Sequence, residues 1–241
     1  MRMDSINHWD IVAENYSTTN NQGKNFYSQI YLAAVNELLG NVNGKRVLDA
    51  GCGDGFFSLG LARKGALVTA VDGSDAMLNI ARSKHAHDNL QYHNMDLTRK
   101  LTFEDKSFDI VVANMLLMDI PEIELFILEV ARVLKKPGNF VFSITHPCFF
   151  LSEWEEDENK TKMYKKIGNY MEERVEELNF WGKTLHYHRP LSKYMAALEK
   201  AGMYVSSFRE PVPPRELIEL YPEQEYHYRI PSFLVIRAKS I

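Results

Sequence analysis

The stretch "VLDAGCGDGFFSLGLA", residues 47–62, joins a short apolar run to a glycine-rich turn. A turn of this kind, placed between a strand and a helix, brings bare backbone N–H groups close to a ligand and is typical of nucleotide-type cofactor sites. The turn also carries two acids, Asp49 and Asp54, beside Gly51 and Gly53. Which cofactor binds therefore depends on how those charges act on it.

Phosphate-bearing cofactors fit the turn poorly. A P-loop needs the pattern GxxxxGK[ST], which does not occur here, and a dinucleotide site needs GxGxxG, whose third glycine is replaced by Phe56. Asp49 and Asp54 would also repel a pyrophosphate, since like charges ~5 Å apart near a protein surface repel by roughly 3 kcal/mol. An NAD-dependent oxidoreductase is therefore a disfavoured alternative.

A cationic cofactor suits the same residues better. S-adenosylmethionine carries a sulfonium and an ammonium group and no phosphate, so acids in the turn would attract it. Asp72 ends the apolar run "LVTAVD", 21 residues after Gly51, the offset from which an acid reaches ribose hydroxyls. Asp72 alone does not separate the two adenosine cofactors, and it could simply neighbour a helix N-cap. The acidic turn favours S-adenosylmethionine.

Apolar strand patterns alternate with helical patterns around these residues. Strands are predicted over 45–50, 67–72, 90–96, 107–116 and 139–146, and helices over 25–40, 55–66, 74–86 and 121–136. A further helix over 190–202 and strands over 203–210 and 232–239 follow, with a proline-rich link between those strands. The alternation indicates an α/β fold with a parallel sheet, whose ligands bind at the carboxyl ends of the strands.

The span 149–187 breaks this alternation and is rich in aromatic residues. Long insertions between regular elements are commonly lids or binding loops. The alternative is a solvated excursion fixed by a few aromatic side chains. We expect a substrate lid, because so many aromatic residues would otherwise lack a core.

Few residues could move a proton for an acceptor. His146 follows the fifth predicted strand and is expected to face the cleft, as a general base, as a substrate contact, or as a turn-shaping histidine. His186 and His188 alternate, so on a strand they share one face and could present a pair to substrate, with Tyr187 between them. Asp119, past the fourth strand, could contact substrate or cap a helix. His146 and His188 are the catalytic candidates, and no metal site is expected.

Composition narrows the class of protein. The chain has 241 residues and a formal net charge of −4, without the basic surplus typical of nucleic-acid binding. Its two cysteines, Cys52 and Cys148, are too sparse for a disulfide framework and are expected to be free thiols. With no apolar run long enough to span a bilayer, we expect a cytoplasmic protein that does not bind membranes.

The ordered set of motifs resembles a known family. "VLDAGCGDG", "VDGS", "NMDL" and "FDIVVANMLLMDIPE" look like the successive motifs of class I S-adenosylmethionine-dependent methyltransferases, in particular bacterial small-molecule enzymes with the type 11 methyltransferase domain. "WDIVAENY", "SITHPCF" and "HRPLSKYMAALEKAG" are similar to the same group. The resemblance covers most of the chain and is weakest over 151–184.

The resemblance implies a Rossmann-like seven-stranded, mostly parallel sheet, ordered 3-2-1-4-5-7-6 with the last strand antiparallel and helices on both faces. It implies one domain over 1–241: an N-terminal helical segment (1–44), a cofactor-binding core (45–148), an inserted lid (149–187), and a C-terminal helix and strand pair (188–241). The residues that would bind S-adenosylmethionine are Tyr16, Asp49, Gly51, Cys52, Gly53, Asp72, Gly73, Met77, Asp96, Leu97, Asn114 and Met115.

The expected function is methyl transfer from S-adenosylmethionine to an O, N or C atom of a small molecule, by a monomer or homodimer. "NMLL" after the fourth strand lacks the [DNS]PP[YF] motif of amino-methylating DNA and protein-glutamine enzymes, and "ITHPC" offers no acids for a catechol-type magnesium. A non-catalytic module that binds S-adenosylmethionine is the main alternative.

Overall fold

The structure is a computed structural model that describes residues 5–19 and 25–240. Its helices are α1 (Ser5–Thr19), α2 (Phe26–Leu39), α3 (Phe56–Arg63), α4 (Asp75–Lys84), α5 (Ile123–Val133), α6 (Leu191–Lys200) and α7 (Arg215–Leu220), followed by a 3-10 helix (Pro222–Tyr228). The strands are β1 (Arg46–Ala50), β2 (Leu67–Asp72), β3 (Leu90–Asn94), β4 (Phe108–Asn114), β5 (Leu134–Thr145), β6 (Glu153–Glu156), β7 (Lys162–Lys166), β8 (Arg174–Asn179), β9 (Lys183–His188), β10 (Met203–Arg209) and β11 (Phe233–Ser240). Residues 1–4 and 20–24 of the predicted N-terminal segment lie outside the described residues.

The main sheet has seven strands in the order β10-β11-β5-β4-β1-β2-β3. β1 to β5 pair in parallel, whereas β11 runs antiparallel to both β5 and β10. With β10 and β11 as the sixth and seventh strands, the predicted order 3-2-1-4-5-7-6 and the antiparallel last strand are confirmed.

Alternating side chains of the central strands pack on opposite faces of the sheet. On β4, Val111 and Ala113 join the core beneath α5 and α6, while Ile110 and Val112 join the core beneath α2 and α3. All four are almost fully buried. A strand covered on both faces needs apolar residues at every position, which is why these strands read as continuous apolar runs.

One predicted helix is shorter than expected. The sequence pattern predicts a helix over 121–136, but α5 ends at Val133 and Leu134 begins β5, paired with Phe108. Pro137 disfavours helical geometry at the residue before it, and Leu134 is buried in the main core. Burial in the sheet therefore ends the helix about one turn early.

The span 149–187 contains regular structure that the sequence pattern did not predict. It forms two antiparallel hairpins, β6–β7 and β8–β9, each separate from the main sheet. The link after β10 likewise holds α7 and the 3-10 helix as well as the predicted prolines. The two hairpins, α7, the 3-10 helix and α1 lie around the carboxyl ends of the parallel strands.

Within residues 5–19 and 25–240, no helix is both long and apolar enough to cross a membrane. The same part of the chain contains no cluster of His, Cys, Asp or Glu arranged to hold a metal ion. Cys52 and Cys148 are both free thiols.

Candidate active site

A cavity of about 730 Å³ opens at the carboxyl ends of β1 to β4. Its floor is formed by the ends of these strands, and its roof by α1 and the two inserted hairpins. This volume lies within the range of small-molecule and cofactor sites, which is roughly 300–1,000 Å³.

The glycine-rich turn brings its backbone against this cavity. The N–H groups of Gly51 and Cys52 donate to the carbonyl of Val71, at 2.8 and 3.0 Å, and fold the chain sharply after β1. Gly51 has φ +74°, and a Cβ there would lie 2.6 Å from Leu116 Cδ1. Only glycine fits this position without displacing its neighbour. Gly51 and Gly53, which are predicted cofactor-binding residues, both line the cavity.

Asp72 ties the turn to the end of β2. Its carboxylate accepts hydrogen bonds from the N–H groups of Gly53 and Ser74, both at 2.9 Å. Burial raises the pKa of Asp72, and the backbone hydrogen bonds oppose that rise. The carboxylate also lines the cavity, where an acid at a strand tip can reach ribose hydroxyls.

The two acids of the turn itself, Asp49 and Asp54, are not among the residues that line the cavity. Asp49 lies on the α3 side of β1, because alternate strand residues point to opposite faces. There Ser58 Oγ donates to it at 2.5 Å, and burial raises the pKa of Asp49 to about 7. Asp54 accepts from the N–H of Phe56, the first residue of α3, at 3.3 Å.

Cys52 is also absent from the cavity wall. Its side chain is buried in the core beneath α2 and α3. Neither the Asp49 carboxylate nor the Cys52 side chain lines the cavity, so a contact of Cys52 with the cofactor would have to come from its backbone in the turn. Other predicted cofactor residues do line it, namely Tyr16, Gly73, Met77, Asp96, Leu97, Asn114 and Met115.

Tyr16 reaches the cavity from α1 as part of an aromatic group. Its ring centroid lies 5.6 Å from that of Trp9 and 4.9 Å from that of Trp181, which belongs to the turn between β8 and β9. Asn15 Nδ2 donates to the Trp181 carbonyl at 2.6 Å, and His8 Nδ1 lies 2.9 Å from the Lys183 carbonyl. The helix and the second hairpin thus cover the cavity together.

His146, predicted to face the cleft, is not among the residues that line the cavity. Its Nε2 lies 3.0 Å from Glu210 Oε1, and its Nδ1 accepts from the N–H of Cys148 at 3.3 Å. Its ring stacks on Phe149, with centroids 4.5 Å apart. Burial lowers the pKa of His146, although Glu210 opposes the shift. Both ring nitrogens are engaged in holding the turn after β5.

His186 and His188 share one face of β9, as predicted, but only His186 reaches the cavity. His188 Nε2 lies 2.9 Å from the Tyr170 carbonyl, so this predicted catalytic residue holds the insertion instead. His186 is buried against Phe150, with ring centroids 4.9 Å apart. Burial, followed by the charges of neighbouring basic side chains, lowers the pKa of His186 to about 4.

Asp119 and Tyr187, which are candidate substrate residues, both line the cavity. The N–H of Tyr187 donates to the Met118 carbonyl at 2.7 Å, which ties β9 to the loop after β4. Burial, followed by the charge of Asp72, raises the pKa of Asp119 well above its usual range. A cation in the cavity would relieve this repulsion between the two carboxylates.

The wall opposite the cofactor motifs contains Trp154 and Lys165, which belong to the span predicted as a lid. It also contains residues that sequence reasoning missed, namely Tyr27, Tyr31, Tyr226, His227 and Phe233. Tyr27 and Tyr31 are four residues apart on α2, a spacing that places them on one helix face. Nothing in the sequence indicates that Tyr226, after a proline-rich link, lies against the inserted hairpin.

Comparison with known proteins identifies the family. A family model described as a methyltransferase domain, of type 11, matches residues 48–142. An S-adenosylmethionine-dependent methyltransferase structure from Listeria monocytogenes is 30% identical, covers 87% of this chain and 96% of its own, and superposes with a TM-score of 0.77. This chain belongs to the S-adenosylmethionine-dependent methyltransferases. A methyltransferase of the same kind from Mesorhizobium loti is 27% identical, with coverages of 86% and 96% and a TM-score of 0.77.

Curated relatives of this methyltransferase match over shorter spans. A fatty-acid O-methyltransferase of Mycolicibacterium smegmatis is 36% identical over 48% of this chain and 42% of its own length. A demethylmenaquinone methyltransferase of Tropheryma whipplei is 35% identical over 58% and 59% respectively. The chain thus spans about half the length of the curated relatives it matches.

S-adenosylmethionine is the cofactor of this family, and the cavity fits it. At Gly53 nothing lies within 4 Å of the place where a Cβ would stand, so a ligand can approach the backbone of the turn closely there. The carboxylates of Asp72, Asp96 and Asp119 line the same region and suit a ligand that carries two cationic groups.

Proposed function

We propose that this methyltransferase transfers the methyl group of S-adenosylmethionine to a small molecule with an apolar or aromatic body. The observation that carries the proposal is one continuous cavity. Its acidic side is built from the cofactor motifs, and its opposite side is aromatic. A cofactor and a small acceptor can therefore lie in contact within one enclosure.

The covering elements favour a small acceptor over a macromolecule. α1 and the β8–β9 hairpin meet over the cavity through hydrogen bonds and ring contacts. A protein or nucleic-acid acceptor would have to displace both elements to reach the strand ends. The many aromatic rings of the wall bury apolar surface and align a flat or chain-like molecule, and alignment is the larger part of catalysis in such a reaction.

Bound S-adenosylmethionine supplies a methyl group activated by its positively charged sulfur. A lone pair of the acceptor forms the new bond to the methyl carbon while the carbon–sulfur bond breaks, its electrons passing to sulfur. The chain must hold the acceptor in line and accept the proton that an O–H or N–H acceptor releases. For the proton acceptor we propose His186.

His186 is suited to this role by its position and its charge. Because its pKa is lowered to about 4, the ring is neutral near pH 7 and can accept a proton. Among the residues that the structure describes, His186 has no hydrogen bond to its ring. His227, another histidine of the wall, has both nitrogens engaged by Ser232 and Gln224. An acceptor becomes strongly acidic as it is methylated, so even a weak base can take its proton.

Turnover of isotopically labelled S-adenosylmethionine with phenols, amines and carboxylic acids tests the proposal. We expect product with at least one class, and His186→Gln should lower kcat by about 10²–10⁴, the usual contribution of a general base. Binding of S-adenosylhomocysteine should stay within about twofold, since His186 is not among the cofactor motifs.

Two results would contradict the proposal in different ways. Tight cofactor binding without product on any acceptor would favour the non-catalytic module. Product formation that is unchanged in His186→Gln would leave the methyl transfer standing but remove His186 as the base. His146→Gln serves as the comparison, because its ring lies outside the cavity.

A further inference from the structure

The charges around the cavity are divided by sign. The acids that line it are on the cofactor side: Asp72 ends β2, and Asp96 and Asp119 follow β3 and β4. Among the described residues, Lys165 is the one lysine or arginine in the wall, and it lies on β7 in the first inserted hairpin. It therefore sets the charge of the acceptor side.

Lys165 lies away from the cofactor motifs along the sheet. Its Nζ donates to the Phe149 carbonyl at 2.5 Å, just after β5, and lies 5.3 Å from the centroid of the Trp154 ring. β5 is two strands from β1, a separation of about 10 Å. Lys165 is therefore placed to contact the distal part of an acceptor rather than the atom that is methylated.

The positive charge of Lys165 is not balanced nearby. Among the described residues no carboxylate forms an ion pair with it, whereas its neighbour Lys166 pairs with Glu155 at 3.8 Å. A second cation reinforces it: Lys162 Nζ lies 3.8 Å from the centroid of the Tyr226 ring, also without an ion pair. Burial, followed by the charge of Lys162, lowers the pKa of Lys165.

An aromatic surface lies directly beside the two lysines. The rings of Trp154 and Tyr226 both line the cavity, with centroids 5.0 Å apart. Arg229 donates to the carbonyls of Lys162 and Met163 and so fixes the hairpin to the 3-10 helix. The site thus combines a fixed apolar wall with a cation that lacks an acidic partner.

We propose that the acceptor carries an anionic group, separate from the methylated atom, and that Lys165 binds this group beside Trp154 and Tyr226. This inference rests on the proposed function, since it names the class of its substrate: an apolar or aromatic acid. An anion there would accept a further hydrogen bond from the Lys165 ammonium group and reduce the repulsion between Lys165 and Lys162. A hydrogen bond between charged groups in a half-buried site is worth more than one between neutral groups.

The proposed anion site can be tested without turnover, by comparing the affinities of two compounds that differ only in a charged group. Anilinonaphthalene sulfonate is an anion, and phenylnaphthylamine has the same rings without the sulfonate. Both are titrated by fluorescence into the full chain loaded with S-adenosylhomocysteine. We expect Lys165→Gln, which keeps a donor for the Phe149 carbonyl, to weaken sulfonate binding by roughly tenfold or more. Binding of the neutral compound should stay within about twofold.

Two further variants separate charge from structure. Lys165→Arg keeps the charge and should retain the preference for the sulfonate. Lys166→Gln removes an adjacent charge outside the cavity wall and should leave both affinities unchanged. Equal losses for the two compounds in Lys165→Gln, or no loss for either, would overturn the proposal, because a merely structural lysine acts on both alike.

A turnover arm addresses the acceptor itself. Phenolic carboxylic acids are compared with their primary amides, and Lys165→Gln should raise KM for the acids while leaving KM for the amides and kcat nearly unchanged. If the wild type methylates the amides and the acids equally well, the proposed anion site is contradicted, although the proposed methyl transfer is supported. If neither is methylated, the fluorescence titration still decides the anion site.

Discussion

At the scale of single residues, the cofactor side of the cavity is defined by carboxylates that end strands rather than by those of the glycine turn. Asp72 ends β2, while Asp96 and Asp119 follow β3 and β4. Asp96 accepts from the N–H and the hydroxyl of Thr98, at 2.9 and 2.6 Å. Burial raises the pKa of Asp96, but these hydrogen bonds, together with the ion pair that Arg99 forms with it at 2.9 Å, outweigh that effect and lower the pKa. Its side chain therefore remains an anion that orders the loop beside the cofactor.

Asp72 is the residue whose loss should most directly weaken cofactor binding. Asp72→Asn keeps an acceptor for one backbone N–H but removes the charge that would bind the ribose hydroxyls. We expect the dissociation constant of S-adenosylhomocysteine to rise by about 10-fold to 100-fold, the cost of losing charged hydrogen bonds. Isothermal titration calorimetry measures this directly.

The matched control for this change is Asp75→Asn. Asp75 is exposed in the first turn of α4, bonded to Asn94 Nδ2 at 2.9 Å, and does not line the cavity. Its replacement should leave the affinity within about twofold. Equal effects of the two substitutions would show that only the general negative potential of the region matters.

At the scale of elements, α1 and the β8–β9 hairpin form one cover over the cofactor side. Gly182, in the turn of that hairpin, has φ +122°, and a Cβ there would lie 2.7 Å from Val12 Cγ1 on α1. The close packing of the two elements thus depends on a residue without a side chain. Together with the hydrogen bonds of His8 and Asn15 to the hairpin, this contact joins the two elements, and we expect them to open and close as a unit.

Gly182→Ala should loosen this cover without unfolding the sheet. Strain from the positive φ costs about 1–3 kcal/mol, and the contact with Val12 adds to it. We expect hydrogen exchange of α1 amides to quicken by at least fivefold and cofactor dissociation to speed up. Gly168→Ala is the control, since nothing lies within 4 Å of a Cβ at that position and its φ is not positive. Exchange that is equally slow in both variants would mean that the cover does not depend on the Gly182 turn.

The elements of the cofactor core could be predicted because their signals are local. β2 was predicted with its observed ends, and the helix predicted over 74–86 begins at Ser74, whose side chain caps α4 by accepting from the N–H of Met77. In the same way the glycine turn, the strand end at Asp72 and their order along the chain indicate the cofactor without any tertiary information.

The acceptor side could not be predicted because its contacts join distant parts of the chain. The strands β6 to β8 are short and half-exposed, so they lack the continuous apolar pattern of the main sheet. His146 looked like a cleft residue, but its orientation is fixed by Glu210, 64 positions away. Tyr226 meets Trp154 across an even longer separation. Residue type alone cannot reveal such pairings.

At the scale of the whole molecule, buried titratable groups make stability depend on pH with opposing signs. The pKa values of His186 and His227 are lowered from 6.5 to about 4, mainly by burial. Below pH 6.5 the unfolded chain binds more protons at these sites, so they reduce stability as the pH falls toward 4. Asp49 acts in the opposite direction, because its pKa is raised from 3.8 to about 7.

Asp49→Asn isolates the contribution of this carboxyl. In the folded wild type the Asp49 carboxyl keeps its proton up to about pH 7. The free energy of unfolding is therefore larger at low pH, and above about pH 7 the folded chain must bury a charged carboxylate beside Ser58. The variant should be more stable than the wild type by about 2–4 kcal/mol at pH 8.5, with the difference shrinking steadily toward pH 4. Ser58→Ala should do the reverse, because it removes the hydroxyl that stabilises the ionised carboxylate at 2.5 Å. Urea unfolding followed by circular dichroism at pH 4 and pH 8.5 measures each difference. If Asp49→Asn differs from the wild type by the same free energy of unfolding at both pH values, Asp49 does not titrate in the folded protein.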